Sequence, residues 1–265
     1  MNVVAGWPLW RLALFGAGLV ALGYIWGQLG PTRGIFPYPQ IVSLKDSAMG
    51  PDAYVSNLEK MPPSRVYRQR AEYFAARAEP AQVVIIGDSL LARLDWRDWL
   101  PGVEIANRAI PGDFAAWIPR RIEPILATQA KDAVLMIGIN DAVLGRPAGT
   151  IHRDILKIVK RLDKADMAVT VLSPLPCTSS ATKCNNANAI TADLHRLLTK
   201  DAGPNARYVD IRAEMAPGGA LIDEYADDGL HLNARGIAEL LRLLPADLKA
   251  ADGTRDARSG RDRRE

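Results

Sequence analysis

The chain has 265 residues with 33 Lys and Arg against 30 Asp and Glu, a net charge of +3. Setting aside an apolar N-terminus and a charged tail leaves roughly 200 residues, enough for one domain with a substantial core. The two signs are interspersed along the chain, so it lacks the concentrated basic face that nucleic-acid binding needs.

Leu12 to Gly30 ("LALFGAGLVALGYIWGQLG") carries no charge, and as a helix it would span about 28 Å, close to the hydrocarbon thickness of a bilayer. Trp7 and Trp10 precede it and Tyr24 and Trp26 lie near its end, where amphipathic rings would sit at the two interfaces. The expectation is a membrane anchor over residues 1–30 that holds the rest of the chain outside the cytoplasm, on the periplasmic side in a bacterium. A cleaved signal peptide, for which Ala21-Leu22-Gly23 is a poor cleavage site, and a buried core helix stay open as alternatives. Residues 31–61, proline-punctuated and without a sustained period, read as a juxtamembrane linker.

The domain is expected over 62–248. It opens with Pro62-Pro63-Ser64 and a capped helix that puts Tyr67, Ala71 and Phe74 on one face. "VVIIG" (83–87) follows as a buried strand running straight into Asp88-Ser89 and an amphipathic segment. Further strand-sized apolar runs are Val103 to Ala106, Ala133 to Ile137, Ala168 to Leu172 and Tyr208 to Ile211. Helical patterns alternate with them: Ile118-Ile122-Ile125, Ile151-Ile155-Ile158-Leu162, Ala187-Ile190-Leu194-Leu197 and Ile237-Leu240-Leu241-Leu244. Continuous apolar strands alternating with helices point to a parallel sheet buried on both faces, a three-layer α/β/α domain of about five strands.

The only cysteines, Cys177 and Cys184, lie in "PCTSSATKCNN". In an oxidising compartment they could close a small loop, worth roughly 2–3 kcal/mol; two unpaired thiols are the alternative. Metal binding would need further ligands, and no His or carboxylate lies inside that stretch. The tail from 249 to 265 lacks large apolar residues and is expected to be disordered and solvated.

In such a sheet, ligands bind beyond the carboxyl ends of the strands, so the turns there hold the candidate chemistry. Ser89 sits in the first of them. At the start of a helix its N–H would face developing negative charge, which suits a nucleophile; a plain helix cap by Asp88-Ser89 is the competing reading. A nucleophilic serine needs a base, and the chain has three histidines. His152 and His195 fall within amphipathic helices and read as surface or boundary residues. His231 lies in the loop "YADDGLHLN" before a helix that Asn233 could cap, and Asp228 three residues earlier could orient its imidazole. Two further turns offer donors for an oxyanion: Gly112 after the second strand, by its N–H, and Asn140 after the third, by its amide. Read singly, Gly112 and Asn140 are equally a turn glycine and a turn or capping asparagine.

Four blocks in order, Gly87-Asp88-Ser89-Leu90, Gly112, Gly138-Ile139-Asn140-Asp141 and Asp228-Gly229-Leu230-His231, resemble the pattern of the SGNH (GDSL-type) hydrolases over about residues 80–245. The resemblance implies a flavodoxin-like fold and ester hydrolysis through an acyl-enzyme, with no metal and no cofactor. Ser89 would be nucleophile, His231 base and then acid, and Asp228 its orienting partner, with the oxyanion held by the N–H groups of Ser89 and Gly112 and by Asn140. Two positions depart from the pattern: Ala109 stands where many relatives have glycine, and Pro111 stiffens the turn before Gly112. The "GDS…W" opening and the "NRxIxGD" block look similar to periplasmic thioesterase/lysophospholipases and to platelet-activating-factor acetylhydrolase-like members. The partner this implies is a small-molecule, lipid or glycan ester, with the membrane reached through residues 12–30 and no nucleic acid. Acyl transfer to an envelope glycan and a non-catalytic envelope scaffold remain alternatives at this stage.

Overall fold

The computed structural model describes Leu58 and residues 63–77, 79–184 and 186–249. The expected anchor (1–30), nearly all of the linker (31–61) and the tail beyond Lys249 lie outside the described residues. Among the described residues no helix is long and apolar enough to cross a membrane.

Helix α1 (Arg65–Ala76) starts where Ser64 Oγ accepts the Tyr67 N–H at 3.1 Å, and it buries Tyr67 and Phe74. Strand β1 (Val83–Gly87) is buried at all five positions and passes through Asp88 into the one-turn helix α2 (Ser89–Ala92) and then α3 (Trp96–Trp99). Strand β2 (Ile105–Asn107) leads to a 3-10 turn (Ile118–Arg121), α4 (Glu123–Leu126) and β3 (Asp132–Met136). After β3 come α5 (Ile139–Val143), α6 (Ala148–Asp163), β4 (Ala168–Leu172) and α7 (Ala187–Lys200). The chain continues through β5 (Arg207–Val209), α8 (Arg212–Met215), α9 (Ala234–Leu243) and α10 (Ala246–Lys249).

The five strands are all parallel, in the order β2-β1-β3-β4-β5. Successive residues of β1 serve opposite faces: Val83 and Ile85 pack with α2, α3 and α9, whereas Val84 and Ile86 pack with α4, α6 and α7. The sheet is therefore covered on both sides, which is why its strands read as unbroken apolar runs. The parallel α/β arrangement expected from the sequence is the one found.

Two expectations need correction. The stripe Ile118-Ile122-Ile125 is buried as predicted but forms no continuous helix. Pro119 and Pro124 lack an N–H for the ladder, so each is tolerated only at the start of a turn, and the segment breaks into two. Strand β2 starts at Ile105 rather than Val103, because the Val103 N–H still closes a turn onto the Leu100 carbonyl at 3.2 Å.

Gly87 ends β1 opposite Met136 of β3, where the neighbouring backbone leaves no room for a side chain. A Cβ there would run into the Met136 carbonyl oxygen and stand 3.1 Å from Leu91 Cδ1. Gly87→Ala is expected to lose roughly 2–4 kcal/mol of stability, since the obstacle is backbone and cannot swing aside. Urea unfolding of the variant against the parent measures this; a change within 0.5 kcal/mol, about the noise of a surface substitution, would contradict it.

Candidate active site

Asp88 and Ser89 divide the tasks that the sequence left undecided between them. Asp88 is the N-cap of α2, its Oδ1 accepting the Leu90 N–H at 3.0 Å. Ser89 is then the first helical residue, and its side chain is not spent on capping. Its Oγ lies 3.0 Å from His231 Nε2 across 142 positions of sequence. Because α2 is a single turn, it contributes the unpaired N–H groups of a helix start rather than a long helix's dipole.

His231 is carried by a loop closed on itself. An antiparallel bridge joins Ala226 to Leu232, and the Asp227 N–H donates to the His231 carbonyl at 2.8 Å. Asn233 caps α9 through the N–H groups of Arg235 and Gly236, while its own amide donates to the carbonyls of Glu224 and Ala226. Inside the loop Asp228 Oδ1 accepts the N–H groups of Leu230 and His231, and Oδ2 stands 2.9 Å from His231 Nδ1. One carboxylate thus shapes the turn and orients the ring. Asp228 is exposed and His231 half-buried, so the pair opens to solvent on one side.

The turns after β2 and β3 are tied to this edge. The Ile110 N–H donates to the Gly87 carbonyl at 3.0 Å, and Asn140 Nδ2 donates to the Asp113 carbonyl at 3.0 Å. Gly112 adopts φ +76°, and the space a Cβ would occupy there is open. The N–H groups of Ser89 and Gly112 donate to no acceptor among the described residues. One hydrogen of the Asn140 amide is used on Asp113; the other is left for a ligand. A hydroxyl beside an imidazole, an imidazole beside a carboxylate, and donors on the neighbouring turns can together activate a nucleophile and hold an oxyanion.

The other two histidines lie elsewhere. His152 Nε2 is 2.6 Å from the Asp201 carbonyl, and His195 Nδ1 is 2.7 Å from Tyr208 Oη. Cys177 and Cys184 form a disulfide. Among the described residues no group of three or more His, Cys, Asp or Glu side chains is placed to hold a metal ion.

The sequence reading passed over the acids beneath the site. Asp113, fully buried, takes Arg121 through Nε at 2.9 Å and Nη2 at 2.5 Å, and Arg121 Nη1 also holds the Arg108 carbonyl at 2.7 Å. Asp141, equally buried, pairs with Arg146 and accepts the Ala115 N–H at 3.0 Å. Arg146 reaches on to Asp154 at 2.8 Å. These bonds fix the backbone on which Gly112 and Asn140 sit. The signal available in sequence was an acid directly after each candidate donor, followed by an arginine five or eight positions on, but carboxylates in turns are ordinarily solvated.

Among the described residues Asp88 has no cation of its own. Its Oδ2 is buried without a hydrogen-bond partner. Burial pushes its carboxyl up to about 7; the Leu90 N–H pulls the other way, and the charges of Asp113 and Asp141 add to the rise. Asp113 and Asp141 are also raised by burial, against the opposing pull of Arg121 and Arg146 respectively.

Comparison with family models matches residues 85–238 to the GDSL-like Lipase/Acylhydrolase family. Among solved structures, that of a platelet activating factor from Streptococcus pneumonia superposes with a TM-score of 0.57 at 20% identity, covering 79% of this chain and 99% of that one. A GDSL-like lipase from Bacteroides thetaiotaomicron gives 0.56 at 18% identity, over 69% and 97%. The lipase/acylhydrolase from Enterococcus faecalis gives 0.51 at 21%, over 63% and 95%. These likenesses concern the fold. Comparison with curated protein sequences gave no significant match.

The state of Asp88 makes a pH prediction. With its pKa raised to about 7, the folded chain retains a proton that the unfolded chain releases near 4, so this group's contribution is full below about 4 and is lost as pH rises through 7. Asp88→Asn keeps the capping oxygen and cannot ionise. Relative to the parent it should gain stability from pH 5 to pH 8.5, by a few kcal/mol or about 5–10 °C in Tm. Thermal melts at the two pH values test this, and a difference that does not grow with pH would refute it.

Proposed function

Since the chain belongs to the GDSL-like lipase/acylhydrolase family and is a hydrolase acting on esters, we propose that it cleaves carboxylic esters through an acyl-enzyme on Ser89. The contact that carries this reading is Ser89 Oγ to His231 Nε2 at 3.0 Å, continued by His231 Nδ1 to Asp228 Oδ2 at 2.9 Å. His231 takes the serine proton as Oγ bonds to the ester carbonyl carbon. The carbonyl oxygen becomes an oxyanion and accepts from the N–H groups of Ser89 and Gly112 and from the Asn140 amide. Collapse breaks the bond to the alkoxy oxygen, which leaves as the alcohol with the proton returned by His231. Water, deprotonated by the same imidazole, then attacks the acyl carbon, and a second collapse frees the acid and Ser89. Asp228 keeps the Nδ1–H tautomer and stabilises the imidazolium throughout. Pro111 holds the Gly112 turn at a defined φ, which suits an oxyanion site that does not reorganise during the reaction.

The substrates we favour are acyl esters of lipids, such as lysophospholipids, and O-acetyl groups on envelope sugars. The uncharged run over residues 12–30 and the Cys177–Cys184 disulfide support a domain tethered to a membrane on its oxidising side, within reach of either. Activity across p-nitrophenyl esters of increasing chain length, with lysophosphatidylcholine and acetylated xylan, separates the two classes.

Ser89→Ala should remove turnover of p-nitrophenyl acetate, a loss on the order of 10⁶-fold where such nucleophiles have been measured. Retained activity would dismiss Ser89 from the mechanism. Asn140→Ala should lower kcat by roughly 10²–10³-fold with KM little changed. Steady-state kinetics in which only KM rose would make Asn140 a binding residue instead.

A further inference from the structure

The steps above leave unused the segment that follows β4, although it lies against the turn that carries His231. The disulfide joins Cys177 and Cys184, both buried, across seven positions, and Thr178, Ser180 and Ala181 lie within the ring it closes. Thr178, itself buried, donates its N–H to the Gly229 carbonyl at 2.9 Å. The Cys177 carbonyl accepts the Leu221 N–H at 3.0 Å, and Ser180 Oγ reaches Asp223 Oδ1 at 3.4 Å. Gly229 adopts φ +83° and is packed so closely that a Cβ would stand 2.8 Å from Ala181 Cβ and 3.1 Å from Thr178 Oγ1. On its far side the ring is held by α7, where Asn188 Oδ1 accepts the Cys177 N–H at 2.8 Å and Asn188 Nδ2 donates to the Cys177 carbonyl at 3.0 Å.

We propose that the Cys177–Cys184 ring is a positioning element for His231: it transmits the rigidity of α7 to Gly229, and so holds the Asp228–His231 turn in register with Ser89. The proposal rests on the reading of Ser89 and His231 as nucleophile and base. The hydrogen bonds of Asp228 to Leu230 and His231 are local, spanning two and three positions, and set the shape of the turn without setting its place. Its place relative to Ser89, 142 positions away, needs contacts to the body of the domain. The Ala226–Leu232 bridge and Asn233 only close the loop on itself; Leu230 and Leu232 pack against the core, and the ring supplies the backbone hydrogen bond at Gly229, between Asp228 and Leu230. A polar segment of this length without its crosslink regains loop freedom. Misplacing a catalytic group by about 1 Å can cost on the order of 10²-fold in rate.

The test compares the full chain with its Cys177→Ala/Cys184→Ala form at a temperature where circular dichroism shows both folded. Two quantities are read: kcat and KM on p-nitrophenyl acetate, and the second-order rate of inactivation by diisopropyl fluorophosphate, which reports serine activation apart from turnover. The expected result is a parallel fall of about 10–100-fold in kcat and inactivation rate, with KM within about threefold. Both rates within about twofold of the parent, with only a lower Tm, would reduce the disulfide to a stability crosslink and overturn the proposal. Gly229→Ala, which keeps the disulfide but drives the ring from the turn, serves if the double variant does not fold. It should show the same fall, and adding Ala181→Gly should recover at least about threefold by relieving the closer of the two contacts, a gain of roughly 0.6 kcal/mol. No recovery would assign the loss to backbone strain at Gly229 and likewise overturn the proposal. An active Ser89→Ala enzyme would defeat the nucleophile reading itself, independently of both disulfide experiments.

Discussion

The pairing of β1 with β3, with Gly87 opposite Met136 and no side chain between the two backbones, is the constraint from which the site follows. These strands are neighbours in space although β2 lies between them in sequence. The chain leaves β1 toward one edge of the sheet and returns across it to β3, so connections diverge beyond their carboxyl ends and open a crevice. Ser89 lies two residues past the end of β1 and Asn140 four past the end of β3. Because apolar residues occupy both faces of the sheet, the polar groups of the candidate site are confined to that rim.

Holding the rim in one geometry needs more than the strands. Arg121 draws Asp113 inward and also binds the Arg108 carbonyl; Asp113 in turn presents its own carbonyl to Asn140. Asp141, next to Asn140, is pinned by Arg146 and by the Ala115 N–H. Buried ion pairs of this kind add little net stability, because desolvation offsets most of the attraction. Their physical consequence here is orientation: the Asp141 carboxylate joins a cation to the Ala115 N–H of the neighbouring turn, and the Asp113 carbonyl accepts from Asn140, so the turns after β2 and β3 are linked twice. Among the described residues Asp88 has no such cation, and burial shifts its carboxyl toward the neutral form.

Much of this was legible from local pattern. Ser64 caps its helix, the "VVIIG" run is a buried strand, and Ala168–Leu172 forms a strand with the expected bounds. Local pattern failed where a second local preference competed, as at Ile118 to Ile125, whose apolar spacing is helical but whose prolines divide it. It also failed where two adjacent residues had the same propensity. Asp88 and Ser89 are both good caps, and only the position of His231 shows which of them is free.

The sequence by itself determined the succession of strands and helices, because burial on one or two faces leaves a period that can be counted. It also narrowed the candidate nucleophile and base to Ser89 and His231, because three histidines leave few partners for a serine. Tertiary structure alone decided that Ser89 and His231 meet, that Asp113 and Asp141 are buried against arginines, and that the disulfide ring bears on Gly229. The serine–histidine contact and the ring on Gly229 join segments well separated along the chain, while the two arginines stand eight and five positions from their acids and pair with them because assembly buries both. No local periodicity encodes such a contact; it arises from the order in which the strands assemble.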